Sequence, residues 1–289
     1  MFLVFLSIIL YTINNLLWKN ILSLTSKWII ITTRSFTTFI IGTIIITVLF
    51  PEIITALSLM IVYKCTLAAI FGALGLISMI SALKEGSLKQ LGIYNLFGIV
   101  LTVSYLVIFE NIEIKYYLLG TTLIILGFLI YFFSIPTENQ KENNPKVQIL
   151  FFIMSVFFAI SGLIHWNNLK QGIPAIYSLV NQEFIVFLFG LFGLIFNKKN
   201  FSGNIFTQIE SIYKQIILMA FVILGAVWSG FIGLRNTNPI ITSLIALSLP
   251  IFTILFGNVF FKEKLKSKTL LSIVLIALGA FILNLNFKQ

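Results

Sequence analysis

Pro136-Thr-Glu-Asn-Gln-Lys-Glu-Asn-Asn-Pro-Lys146 is the one extended polar run in a chain of 289 residues that is 59% hydrophobic and 10% charged. Five membrane-length apolar segments precede it and five follow it. The odd number carries the argument. Two related halves of five spans each must sit in the membrane upside down relative to one another, the geometry of an alternating-access transporter. A soluble domain needs more polar surface than this chain offers, so the composition points to lipid as its solvent.

The predicted spans are Phe2–Trp18, Ile29–Phe50, Met60–Leu83, Leu88–Phe109, Tyr116–Ile135, Val147–His165, Pro174–Phe196, Gln215–Leu234, Pro239–Phe261 and Lys268–Asn286. Each is long enough to cross a ~30 Å hydrocarbon core as a helix. Helices are required because unpaired backbone groups cannot face lipid. The expected fold is therefore all-α and integral to the membrane, with ten transmembrane helices as two inverted five-helix repeats. Residues 1–135 form the first repeat, 136–146 a cytoplasmic linker and 147–289 the second. The apolar start lacks a basic n-region and a small-x-small cleavage site, so it reads as a retained first span rather than a signal peptide.

Charge sets the expected orientation. Thirteen Lys/Arg residues fall in or beside the connections between spans 1–2, 3–4, 5–6, 7–8 and 9–10, and five on the opposite side. The positive-inside rule places the thirteen in the cytoplasm and both termini outside. The basic residues sit singly or in small groups at segment ends, so the net charge of +10 is no nucleic-acid signature.

Several chemistries are disfavoured. All nine acids are glutamates, which argues against Asp-rich metal-diphosphate enzymes and Asp-phosphorylated pumps. No Gly-Lys-Ser/Thr phosphate loop is present. One cysteine, Cys65, and one histidine, His165, make a metal site improbable, and no cofactor is expected.

The halves align at a nearly constant offset. Ile13–Trp18 lies over Ile160–His165 at 147; Phe36, Phe39 and Gly42 lie over Phe184, Phe187 and Gly190 at 148. Ser81–Lys84 lies over Ile232–Arg235 at 151, and Glu113 near Glu263 at 150. With Arg34 early in span 2, Ala82-Leu-Lys84 and Gly233-Leu-Arg235 closing spans 3 and 8, Pro250 in span 9, and Leu275-Ile-Ala-Leu-Gly279 in the last span, the chain resembles the drug/metabolite transporter superfamily, specifically its EamA-type two-repeat branch. It departs from that pattern at Gly98-Ile99, where a span proline is usual, and at Ser272, where glycine is usual. The first-repeat counterpart of Glu263 is either Glu110 or Glu113. The resemblance implies small metabolites such as amino acids and their derivatives, often exported.

The candidate residues follow from the cost of polar groups in lipid. Glu183, about nine residues into span 7, reads as a proton carrier or a receiver of a cationic amine, against a structural, hydrogen-bonded carboxyl. Arg34 reads as a binder of substrate carboxylate or phosphate, or as a side chain snorkelling to the cytoplasmic interface. The two are placed towards opposite sides, and a pairing between them is not assumed. Asn14 and Asn15 point about 100° apart, so at most one faces a cavity well. Ser161, Tyr94, Asn95, Gln182 and Trp228 complete a modestly polar, aromatic-lined site. His165 reads first as an interfacial anchor and second as a proton relay. Gly72/Gly75, Gly190/Gly193 and Gly230/Gly233 are stripes for close helix approach, and Pro250 is a gate-hinge candidate.

The expected function is a secondary transporter of small polar metabolites, not an enzyme, whose partners are its substrate, the bilayer and, if Glu183 titrates, protons. A nucleotide-sugar or sugar-phosphate exchanger is the alternative transporter. A lipid-group transferase or a non-transporting scaffold are the readings from other classes. Enrichment in Lys, Ile, Asn and Phe suggests an AT-rich genome and a bacterial inner membrane.

Overall fold

The computed structural model describes residues 2–22, 24–85, 91, 94, 98, 101, 102, 105, 106, 108–110, 118–134, 144–197, 205–237, 242, 245 and 267–285. Among these residues every regular element is a helix: α1 Phe2–Ile21, α2 Lys27–Leu49, α3 Pro51–Thr55, α4 Leu59–Leu83, α5 Leu118–Ser134, α6 Pro145–Lys170, α7 Ala175–Phe196, α8 Ile205–Asn236 and α9 Ser267–Leu285. Five of them, α2, α4, α6, α7 and α8, are long and apolar enough to cross a membrane. The chain is an integral membrane protein. Apart from Thr242 and Ile245, predicted span 9 lies outside the described residues, as does most of span 4.

Local chemistry sets the helix ends. Ser26 and Ser58 accept from the backbone N–H of Trp28 and Ile61 to open α2 and α4. Asn144 does the same for Lys146, with Pro145 at the first helical position, so α6 begins inside the expected linker. Gly172 has φ +87°, the left-handed conformation that lets α6 turn into α7 within four residues. At 32 residues α8 is about 48 Å long, well beyond a ~30 Å core, and its first turns overhang the predicted start at Gln215.

The outer surface is apolar and the apolar interior also holds polar groups. On α2, Arg34, Ser35, Thr38 and Gly42 are buried, while Phe36, Ile40, Ile44 and Val48 form an exposed stripe one turn apart. Lipid suits the outer stripe, and the interior takes the polar groups. Most threonine hydroxyls inside the spans are satisfied by carbonyls one turn back, as in Thr32 to Trp28 and Thr38 to Arg34; Thr121 Oγ1 is an exception.

The closest helix pairs are α4 with α6, α5 with α9, α2 with α7 and α1 with α8. All four join the first half of the chain to the second. Glycines sit at the crossings, where a Cβ on Gly75 would meet Phe158, one on Gly190 would meet Thr32, one on Gly193 would meet Trp28 and one on Gly233 would meet Val4. Across α1/α8 and α4/α6, Ser7 donates to the Ala226 carbonyl and Ser161 to that of Ala68. Ser272, the departure noted in the last span, donates to the Gly127 carbonyl of α5. Along α2 and α7, Trp28 faces Gly193, Thr32 faces Gly190 and Gly42 faces Val180, so these helices are antiparallel. Phe36 meets Phe187 at 5.2 Å and 42°, and Phe39 meets Phe184 at 5.1 Å and 39°, two contacts of nearly the same geometry.

Gly190 and Gly162 separate close packing from mere flexibility. A Cβ on Gly190 would stand 2.7 Å from Thr32 Oγ1 and 3.0 Å from its backbone nitrogen, whereas one on Gly162 meets nothing within 4 Å. Gly190→Ala is expected to lose about 1–3 kcal/mol of stability by overpacking, and Gly162→Ala to be neutral or stabilising, as thermal unfolding in detergent would record.

Candidate functional site

A cavity of about 290 Å³ lies in the bundle where two apolar clusters meet. It is lined from α1 by Tyr11, Asn14, Asn15 and Trp18, from α2 by Arg34 and from α7 by Gln182 and Glu183. Its apolar walls come from α4, α6 and α8. The α1 set spans positions i, i+3, i+4 and i+7, one helical face. Both asparagines therefore border the cavity, contrary to the expectation that only one would. Tyr11 and Trp18 were not among the expected site residues, although that same period carries them.

Arg34 and Glu183 pair. Arg34 Nη2 stands 3.0 Å from Glu183 Oε2, and Nη1 donates to Oε1 at 3.4 Å. Nη2 also donates to Ser35 Oγ at 2.9 Å. Each side chain is 2% exposed. This overturns both the separation of the two residues and the snorkelling of Arg34. The cause is register. By the Gly190 and Gly193 contacts, Arg34 faces α7 about five residues from Glu183, an axial gap of ~7.5 Å that an extended arginine and a glutamate close together. Depth counted from each helix's own start does not reveal that antiparallel register.

The pair leaves the cavity wall neutral overall, yet polar capacity remains. Among the described residues, Asn14 Oδ1, Trp18 Nε1 and Arg34 Nε are buried without a hydrogen-bond partner. With Glu183 Oε2, which pairs with Arg34 by charge but accepts no hydrogen bond, two acceptors and two donors belong to residues that line one cavity, where an unmade bond is costly.

The other expected residues lie elsewhere. Ser161 is committed to the α4 backbone. Tyr94 stacks on Phe151 with centroids 5.8 Å apart, and its carbonyl accepts from Ser155 Oγ. Trp228 meets Phe50 edge-on in the apolar cluster beyond the cavity. His165 is not an interfacial anchor: it is 2% exposed, 4.5 Å from the Phe231 ring, and Gln182 approaches it without closing a well-formed hydrogen bond. Trp166, its neighbour, carries Lys170 over its ring at 4.3 Å. Glu110 pairs with Lys170 at 3.9 Å. Asn95, Glu113, Pro250 and Glu263 lie outside the described residues. Among the described residues no cluster of His, Cys, Asp or Glu could hold a metal ion.

Breaking one side of a buried pair leaves the other charge stranded. Glu183→Gln is expected to cost about 3–5 kcal/mol, and the double variant Arg34→Met/Glu183→Leu to recover most of that loss. A double-mutant cycle read by thermal unfolding in detergent checks the coupling.

Residues 145–285 match the model of the EamA-like transporter family. No curated protein matches the chain. A solved crystal structure of a protein superposes over 100% of this chain and 98% of its own with a TM-score of 0.75 at 11% identity, a likeness of fold alone. The second half of the chain thus matches the EamA-like transporter family, which belongs to the drug/metabolite transporter superfamily.

Proposed function

We propose that this protein is a secondary transporter that exports small polar metabolites, amino acids or related compounds, by alternating access across a bacterial inner membrane. The observation that carries the proposal is the buried cavity with its neutral Arg34–Glu183 wall and the unpartnered Asn14, Trp18 and Arg34 atoms. Such a wall suits a ligand of zero net charge that offers both donors and acceptors. The sugar-phosphate alternative loses its main support, because the guanidinium it needed is occupied by Glu183.

Two inverted five-span repeats are part of this reading, and contacts between the halves support them. A shift of 148 residues turns the Phe36–Phe187 contact into Phe184–Phe39, and Gly42 against Val180 into Gly190 against Thr32. The main helix pairs behave alike. Numbered as predicted spans they are 1–8, 2–7, 3–6 and 5–10, and moving each span number by five returns the same set. The same shift carries Arg34 to Gln182 and Glu183 to Ser35, so the ion pair sits beside the pseudo-two-fold axis, where a repeat-built transporter binds its substrate.

Flux in proteoliposomes tests the proposal. Purified protein is expected to move at least one member of a panel of amino acids and related neutral metabolites. No flux for any member would favour the scaffold reading. Asn14→Leu removes a buried acceptor without a partner at nearly constant volume, so stability should hold or rise. Transport should fall by about tenfold, the effect of losing one substrate hydrogen bond of ~1.4 kcal/mol.

A further inference from the structure

A second concavity, about 880 Å³, opens at the end of the bundle to which the charge count assigns the cytoplasm. Along α1 it begins one turn beyond the central cavity: Trp18 borders the cavity and Leu22 the vestibule. The starts of α2, α6 and α8 and the ends of α1, α4 and α7 meet around it. Three helix starts and three helix ends offset one another's dipoles, so the local field comes from side chains.

Those side chains are basic. Lys27, Lys84 and Lys146 line the vestibule, close enough that the charges of Lys84 and Lys146 act on Lys27. Lys27 Nζ donates to Ser81 Oγ at 2.7 Å and lies 4.8 Å over its neighbour Trp28, with no carboxylate partner among the described residues. Lys84 and Lys146 have no carboxylate partner among the described residues either. Glu85 is the acid of the lining, and its carboxylate accepts from Asn144 Nδ2 at 3.4 Å. Three mutually repelling ammonium groups around one hollow favour an anion between them. Ser26 adds a hydroxyl and Asn197 the second N–H of an amide that also donates to the Gly193 carbonyl, whereas the Ser81 hydroxyl is donated to the Ile77 carbonyl; Leu22, exposed Leu24 and Leu150 add an apolar flank.

We infer that the vestibule is a binding site for a phosphate group, distinct from the transport cavity. Phosphate matches three point charges and several donors better than a carboxylate does, because it presents more acceptor oxygens and up to two charges. It comes either on an anionic phospholipid, for which basic pockets between spans at this membrane face are suited and whose chain the leucine flank would take, or as a free ion.

The test uses the full-length protein in a neutral detergent and follows thermal stability, which ligand binding raises by mass action. One arm adds phosphatidylglycerol against phosphatidylcholine; the other adds inorganic phosphate against chloride at equal ionic strength. Stabilisation by phosphatidylglycerol alone assigns the site to a lipid headgroup, and stabilisation by phosphate as well assigns it to the free ion. Removing each lysine should weaken apparent affinity by about fivefold. Lys84→Gln/Lys146→Gln changes two exposed side chains and serves as the variant certain to retain the packing, with Lys27→Gln added in a triple variant. Lys64→Gln/Lys170→Gln, at the other end of the bundle, should leave affinity unchanged. No stabilisation beyond the zwitterionic and chloride controls overturns the inference. So does stabilisation that persists undiminished in the Lys84/Lys146 variant, or that falls equally in the Lys64/Lys170 variant. Transport flux is read separately, so this site and the transport proposal stand or fall independently.

Discussion

The contact between α2 and α7 organises the molecule around one constraint: a full positive and a full negative charge buried together in a bundle whose solvent is lipid. Neither Arg34 nor Glu183 could stay there alone, since an unpaired charge inside a membrane protein has neither water nor counterion to stabilise it. Together they still lose hydration that the pair's attraction offsets only with good geometry. The 3.0 Å ion-pair contact, the Nη1 hydrogen bond to Oε1 and the Ser35 hydroxyl supply what offset there is, although Oε2 itself accepts no hydrogen bond. The glycines supply the closeness, because Gly42, Gly190 and Gly193 let the two helices run near enough for the side chains to meet.

The cavity follows from the same arrangement. Polar residues of α1, α2 and α7 gather at one level, with apolar clusters above and below. A neutral wall with unpartnered atoms is a poor structural solution and a sensible binding one, because a ligand completes bonds that the protein leaves unmade. The Arg34–Glu183 pair also ties the first half of the chain to the second. The four closest helix pairs do the same.

Much of this was legible beforehand. Membrane residence follows from composition, and α2, α4, α6 and α7 lie within a few residues of predicted spans 2, 3, 6 and 7, because hydrophobic length is a local property. Glu183, Arg34, Gln182, Asn14 and Asn15 stood out because polar groups are scarce and costly in such segments. Tyr11 and Trp18 were readable too, one turn from Asn14 and Asn15 on the same helical face. The overhang of α8 was not, since its first turns are too polar for a hydropathy window and helical all the same.

By itself, then, the sequence determined that the chain lives in a membrane as helices, and which few residues are expensive enough there to need a reason. Helix length and transfer cost are properties of single segments. Only the tertiary structure decided what those residues do to one another. It brought Arg34 onto Glu183, buried His165 against Phe231, turned Ser161 and Trp228 away from the cavity and gathered three lysines around a vestibule. Each of those outcomes depends on the register and rotation of one helix against another. Small residues set that register at the crossings, and span-by-span hydropathy does not encode it.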